Sequence, residues 1–576
     1  MATGPTSTGP TSTGLRKGLA TYGDAGFSLF LRRAFLKAMG YTDAALDRPI
    51  IGITDTFSDF NPCHGNVPDL IAAVKRGVLL AGGMPMAFPT ISIHESFSHP
   101  TSMFLRNLMA LDTEEMVRAQ PMDAVVLIGG CDKTLPAQLM GIASVDLPAI
   151  VLPTGPMLVG HHKGEILGAC TDCRRLWADY RAGRIDEAET DILTDRLAPT
   201  KGTCMVMGTA STVACMVEAL GMCLPGAASI PAVHADRIRA AEASGAAAVA
   251  LAKSGRKPSD IMTRAAFRNA LTVLQAIGGS TNGLIHAVAI AGRLGIELDM
   301  AEFDRLGHQV PVLVDLKPSG EHYMEHFHWA GAMPKLLKEI AAFIDTTALT
   351  VTGGTLADYI AQAEDVPNQT VIRSRANPIA EGGGLAVLGG NLAPAGALLK
   401  RSAATPALMQ YEGRAVVFDG LEDMAARLDS PDLDVTKDDI LVLRNAGPKG
   451  APGMPEAGYI PIPRKLARAG VKDMVRISDA RMSGTAFGTI VLHIAPEAAI
   501  GGPLALVRSG DRIRLDAEGR RIDLLVDDAE LAARRQAWSP PPPHPGSHRG
   551  YLKLYLEQVT QADQGCDFAF CRHDGA

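Results

Sequence analysis

The chain lacks a basic surplus. Its 55 Lys and Arg are outnumbered by 62 Asp and Glu, giving a formal charge of −7. A nucleic-acid-binding surface, normally basic, is therefore not expected. No apolar run is long enough to span a bilayer. The first residues also lack the basic and apolar regions of a signal peptide; their Thr-Gly-Pro-Thr-Ser repeat reads as a disordered tail over 1–14. Aromatics are scarce at 5%, whereas 59 Gly and 37 Pro announce many loops and tight turns. Nine cysteines without a secretory signal point to a reducing, cytoplasmic setting and free thiols. Packing, metal binding or catalysis is what remains for them to do. With 576 residues, 47% of them hydrophobic and 20% charged, the chain has room for several ordinary globular domains.

What is present is organised around residues 123–143. Val125 to Ile128 form a short β-branched apolar run, the pattern of a buried strand. Gly129 and Gly130 break it, and Pro136 suits the first turn of a following helix. Between them stand a thiol, a carboxylate and an amine: Cys131, Asp132 and Lys133. In an open α/β sheet, the crevice at the carboxyl end of a strand is where ligands bind. The helix N-terminus favours negative charge there. Taken alone, the stretch is equally well an ordinary turn with a buried, inert Cys.

Two further thiols share this slot. Cys63 lies in the polar loop 55–66, between a strand at 49–54 and an amphipathic helix from about 67 to 80. Cys204 precedes a helix ending near Gly221. Three thiols at three helix entrances could converge on one crevice. The other six cysteines weigh less. Cys215 reads as core, and Cys223 lies just past its helix. Cys170-x-x-Cys173 has no second pair at zinc-ribbon spacing. Cys566 and Cys571 would need a fold-back of the tail to matter. His322 and His326 flank Glu325 without the His-Glu-x-x-His order, and their aromatic neighbours indicate packing.

The chain divides in two. Residues 15–48 read as a helical lead-in, with Phe30, Leu31, Phe35 and Leu36 at helical spacing. Residues 240–370 are mainly helical. After about 374, short β-rich runs recur at 385–388, 415–418, 440–444, 489–493, 504–507 and 512–515. The expectation is an N-terminal α/β domain over 15–373 and a β-rich, barrel-like domain over 374–576, joined at the glycine-rich linker 381–384. A polyproline connector after Trp538 delivers the last residues to a specific place, such as a neighbouring subunit. Two loops in the second part hold further candidates: 445–458, with Glu456 its only carboxylate, and 478–485, with Ser483 and Thr485. Neither matches a phosphate-binding loop or a nucleophile elbow.

Six stretches, in order, resemble one family. They are Asn61-Pro62-Cys63, Gly130-Cys131-Asp132-Lys133-Thr134, Gly202-Thr203-Cys204, Gly278-Gly279-Ser280-Thr281-Asn282, Pro452 to Glu456, and Asp479 to Thr485. The family is that of the dihydroxy-acid and 6-phosphogluconate dehydratases, including the sugar-acid dehydratases. The pattern is most similar to its pentonate branch. The resemblance implies a three-layer α/β cluster-binding domain followed by a swivelling-type barrel. It implies that Cys63, Cys131 and Cys204 ligate an iron–sulfur cluster, [2Fe–2S] or alternatively [4Fe–4S]. It further implies Mg²⁺ held by Glu95, Asp132, Glu456 and a carbamylated Lys133, whose oxygens suit that hard cation. Ser483 would be the general base and Thr485 a partner for the substrate carboxylate. Asp55 and His64 stand where relatives commonly have Asn; either one facing the pocket would alter substrate preference.

Three thiolates leave an open position on a two-iron cluster, which suits Lewis-acid chemistry on a hydroxyl. The implied activity is dehydration of a 2,3-dihydroxy sugar acid such as arabinonate, xylonate or gluconate to a 2-keto-3-deoxy acid. The alternative is the branched-chain enzyme acting on 2,3-dihydroxyisovalerate, or a broad enzyme accepting both. An iron–sulfur redox protein is disfavoured, because it would not need the oxygen ligands. The implied partners are a small hydroxy acid and further copies of the chain, as a homodimer or a tetramer built as a dimer of dimers.

Overall fold

The computed structural model describes residues 13–573. A first helix, α1 (Ala25–Ala38), precedes a parallel α/β unit. Its strands and helices are β1 (Ile50–Asp55), α2 (Val67–Leu80), β2 (Met84–Pro89), α3 (Ser102–Ala119), β3 (Ala124–Gly129), α4 (Thr134–Val145) and β4 (Ala149–Pro153). The sheet order is β2-β1-β3-β4, all parallel. β1, β3 and β4 are apolar on both faces because helices cover both. Chain connections run in opposite directions from β1 and β3, so a crevice opens between their carboxyl ends.

Further helices thicken this unit: α5 (Thr171–Arg181), α6 (Thr209–Ala219), α7 (Ala235–Ser254), α8 (Arg264–Ala276) and α9 (Thr281–Gly292). Every residue of α6 and α9 is buried, which marks them as core helices rather than amphipathic cover. α2 and α7 cross where Gly77 meets the Glu242 backbone and Gly245 meets that of Val74; a Cβ at either would collide with main chain.

The second sheet comprises β5 (Leu385–Leu388), β6 (Ala397–Lys400), β7 (Gln410–Asp419), β8 (Ile440–Arg444), β9 (Arg476–Ser478), β10 (Ile490–Leu492), β11 (Arg512–Asp516) and β12 (Arg521–Leu524). Their order is β12-β11-β7-β8-β9-β10-β6-β5, with β7 to β10 parallel and the other pairings antiparallel. A bridge between Gly389 and Arg521 ties its two edges, so the sheet nearly closes on itself.

Several expectations need correction. Pro503–Leu506 forms a 3₁₀ turn rather than a strand; Pro503 cannot donate to a ladder. The glycine-rich segment 381–384 is not a loose linker: Gly384 N–H and Leu385 N–H bond Gln275 of α8 at 3.1 and 3.0 Å. The expected N-terminal tail lies outside the described residues up to residue 12. Gly14, its last residue, is buried and donates its N–H to the Asp123 carboxylate. On α1, Phe30 and Phe35 point to solvent, 65% and 68% exposed. The tail does fold back, but onto its own chain. The helix α10 (Gly550–Gln558) and the residues after it join the core of the first unit through Tyr555, Val559 and Phe568. There Arg106 of α3 donates to the carbonyls of Gly565 and Cys566 at 2.9 and 2.8 Å, and Arg293 forks onto Asp567 at 2.7 and 3.0 Å.

Candidate active site and metal centre

All four strands of the parallel sheet send a loop into the crevice. Cys63 follows β1, His94 and Glu95 follow β2, and Cys131, Asp132 and Lys133 follow β3. Past β4, Pro156 bridges to Thr203, which sets Cys204 beside them. Gly130 lets the loops meet, since a Cβ there would strike Thr154 and Thr203. Cys131 itself is held at φ 24°, a strained setting for a residue with a side chain. These loops, α5 and two loops of the second sheet enclose a cavity of about 850 Å³.

One end of the cavity is sulfur. Cys63 and Cys131 lie with a ring nitrogen of His94 within 4.8 Å of one another, and Cys204 Sγ stands 3.1 Å from Cys170 Sγ. The Cys131 sulfur, and then burial, push Cys63 up; Cys170, and then burial, do the same to Cys204. Cys170 moves down, held by contacts from Cys173 and Cys204. So many buried thiols cannot all ionise unless a cation joins them, which is the chemistry of a metal-sulfur site. The three thiols singled out in the sequence thus share one wall. Cys170 and Cys173, set aside for want of a second Cys pair, stand with them. Their partners come from distant loops, so no local spacing could have revealed them.

The other end is oxygen. Glu95, Asp132 and Glu456 bring carboxylate oxygens within 4.8 Å of one another. Two buried cations sit among them. Arg481 donates to Glu95 at 2.7 Å and to Glu456 at 2.6 Å, tying the two halves of the chain together. Lys133, its side chain fully buried, meets Glu95 and Asp132 at only 3.5 and 3.6 Å, looser than the about 2.7–2.9 Å of a charge-assisted bond. Burial opposes ionisation of Glu95, yet Arg481 and then Lys133 hold it well below the usual carboxylate range. Burial and then the Glu95 charge push Glu456 up to about 7. Three crowded carboxylates of this kind fit a hard divalent cation. Arg481 was not singled out in the sequence, where it passed as part of the 479–485 loop.

Ser483 and Thr485 line the same cavity, their hydroxyl oxygens 2.8 Å apart. The 278–282 loop supports them. Asn282 Nδ2 donates to the Met482 carbonyl at 2.9 Å, and a Cβ at Gly484 would strike Ser280. Buried Lys400 donates to the Gly484 carbonyl at 3.1 Å, with burial pulling its amine down to about 7. Asp55 and His64 do not line the cavity. Asp55 accepts from Phe57 N–H at 3.0 Å. His64 is a buried brace, with Nδ1 against the Thr56 carbonyl at 2.8 Å and Nε2 accepting from Gly130 N–H at 2.9 Å. Those partners assign its tautomer. His322 and His326 are stacked edge to face with ring centres 5.5 Å apart, and neither belongs to either donor group.

An open parallel sheet whose crevice gathers sulfur and carboxylate donors defines an α/β protein with side chains able to hold a metal ion. The chain belongs to the dihydroxy-acid/6-phosphogluconate dehydratase family. Residues 48–359 match its N-terminal model and 370–566 its C-terminal model. It is 47% identical to the L-arabinonate dehydratase of Rhizobium leguminosarum bv. trifolii over 556 residues, covering 96% of this chain and 95% of that one. It is 44% identical to the 6-deoxy-6-sulfo-D-gluconate dehydratase of Pseudomonas putida over 545 residues, 94% of each. It is 40% identical to the dihydroxy-acid dehydratase of Moorella thermoacetica over 541 residues, 92% of this chain and 97% of that one. The chain is thus a dehydratase, a carbon–oxygen lyase. Among the described residues no helix is long and apolar enough to cross a membrane.

Proposed function

We propose that the chain dehydrates 2,3-dihydroxy sugar acids to 2-keto-3-deoxy acids. The observation that carries this is one cavity with sulfur donors at one end, carboxylates at the other and the Ser483–Thr485 hydroxyl pair on its wall. In this reading Cys63, Cys131 and Cys204 hold a [2Fe–2S] cluster. Glu95, Asp132, Glu456 and a carbamylated Lys133 hold Mg²⁺. The loose contacts of Lys133 support the last assignment, since a carbamate would bring oxygen where the ammonium now stands off. When bound, these groups supply electrostatic stabilisation of the enolate-like charge and of the departing hydroxide. Thr485 donates to the substrate carboxylate, and Ser483, ionised at Oγ, takes the C2 proton. The hydroxide leaving C3 receives that proton and departs as water, restoring the Ser483 alkoxide, and the enol tautomerises to the keto acid.

The cavity lining favours a polar substrate: Arg184 and Lys472 line it, and Arg174 reaches the Glu456 carboxylate at 3.7 Å. Pro461, Ile462 and Val471 form an apolar strip there, which favours 2,3-dihydroxyisovalerate as the second reading. The same proposal carries a three-layer α/β domain over 15–373 and a barrel-like, swivelling domain over 374–576, with Glu456 and Ser483 brought by the latter. It also carries a cytoplasmic homodimer or tetramer. The exposed Tyr22, Phe27, Phe30 and Phe35 support association, being more apolar surface than a monomer usually leaves bare.

The test compares kcat/KM for a pentonate, a hexonate and 2,3-dihydroxyisovalerate, using anaerobically purified enzyme with Mg²⁺. Preference for the aldonates is expected. Preference for the isovalerate selects the second reading, and no keto acid from an iron-loaded enzyme sinks both.

A further inference from the structure

A serine acts as a base only where its surroundings favour the ionised oxygen. One buried cation beside the Ser483 loop has no ion-pair partner of its own. Lys400 ends strand β6, between β10 and β5, and its side chain is fully enclosed. Its Nζ donates to the Gly484 carbonyl at 3.1 Å and, among the described residues, meets no carboxylate. An ammonium in such a place is costly unless something offsets it.

The peptide group that Lys400 touches is the one that faces the serine. The Gly484 carbonyl and the Thr485 N–H belong to a single amide. That N–H donates to Ser483 Oγ at 3.4 Å, and the Thr485 hydroxyl stands 2.8 Å from the same oxygen. We propose that Lys400 is a positioning residue for Ser483. Its ammonium, bonded to one end of this amide, polarises the N–H at the other end toward the negative charge that Ser483 Oγ carries as base. The inference rests on the proposed base role of Ser483.

Hydrogen bonds in a chain strengthen one another, and more so in a low-dielectric interior. An amide N–H and a hydroxyl aimed at one oxygen are the donors of an oxyanion hole, directed here at the protein's own side chain. The amide is pinned on both sides. Gly484 abuts Ser280 and the Thr209 backbone with no room for a Cβ, and the Thr485 carbonyl accepts from Thr171 at 2.9 Å. Lys400 does not itself line the cavity, so its influence on the reaction passes through this amide. Burial pulls its amine down to about 7, and negative charge at Ser483 opposes that pull.

The experiment compares Lys400→Met and Lys400→Gln with wild type, as full-length, iron-loaded enzyme with Mg²⁺, on the acid it turns over best. Methionine fills similar space without charge, and glutamine keeps an N–H donor but is neutral. Lys400→Met is expected to keep its iron and a Tm close to wild type, because it removes an unpaired buried charge. KM should stay within about twofold while kcat falls about tenfold or more. Lys400→Gln should also lose kcat, by a similar or smaller factor. In a Ser483→Ala background Lys400→Met should lower kcat no further, since the two residues act as a unit. A wild-type kcat in Lys400→Met overturns the inference, and so does one in Lys400→Gln, where a neutral donor would then suffice. A large fall in Tm with kcat and KM changing together also overturns it, being the mark of a merely structural lysine. If Lys400→Met does not fold, the glutamine variant decides on the same criteria. Normal turnover by Ser483→Ala alone overturns the base reading, and this inference with it; an inactive Ser483→Ala beside a fully active Lys400→Met overturns this inference alone.

Discussion

The sulfur end of the cavity is supplied wholly by loops of the first sheet and its helices, while the oxygen end is divided. Glu95, Asp132 and Lys133 come from the first sheet, and Glu456 and Arg481 from the second. The difference assigns different structural tasks to the two ends. The thiols can be gathered by one folding unit. The carboxylates face one another only when both units are in place, with Arg481 spanning them at 2.7 and 2.6 Å. Substrate binding at the oxygen end would therefore report on closure between the units, as clefts between domains commonly do.

The sharpest way to break the comparison is at the sulfur end. Cys131→Ala should abolish iron binding and lower kcat/KM by about 10³-fold or more. Iron analysis and keto-acid assay check this, and retained iron would show that the thiol wall is not the cluster site. At the oxygen end, Arg481→Met should leave iron content intact. It leaves two partly buried carboxylates without their cation, which lowers stability. The loss is read as a lower Tm, along with a fall in kcat of about 10²-fold. Iron loss in that variant would mean the two ends are not independent. Ser483→Ala touches neither donor group. It should keep both iron and Tm while kcat falls about 10²-fold; near-normal turnover removes Ser483 from the base role.

The smallest effect lies outside both ends. Glu218 on α6 is buried, accepts from Gly226 and Ala228 N–H, and is pushed up to about 7 by burial. The folded chain therefore keeps this proton up to about pH 7, whereas the unfolded chain releases it near the ordinary glutamate value of 4.5. Between those values the folded state binds more protons, so the contribution to stability is full below pH 4.5 and is lost as pH rises to about 7. Glu218→Gln should flatten that slope by about 1–3 kcal/mol. Tm measured from pH 5 to 8 for both proteins checks it, with activity at either end of the cavity unchanged.

The two central strands of the parallel sheet were legible because doubly covered strands are unbroken apolar runs, as at 124–129, whereas β2 and β4 were not singled out. Strand β6, Ala-Leu-Leu-Lys, was not; its residues favour helix, and only the neighbours β10 and β5 make it a strand. β9 is three residues long and carries no readable period. Cys63, Cys131 and Cys204 were found by their shared position before helices. Arg481 and Cys170 escaped because their significance comes from partners hundreds or tens of residues away, which only packing reveals.

The returning C-terminal segment has a consequence for how the chain is made. A nascent chain emerges from the ribosome N-terminus first, and domains ordinarily settle as they appear. Here Arg106 and Arg293 belong to the first unit, but their acceptors at 565–567 are synthesised 459 and 274 residues later. Until then two guanidinium groups and an aromatic face around Phe104 stay uncovered. A product of premature termination near residue 540 would contain every residue of the cavity and still have an open core, marking it for the cell's proteases. The core of the first unit therefore closes only after the second sheet has been made.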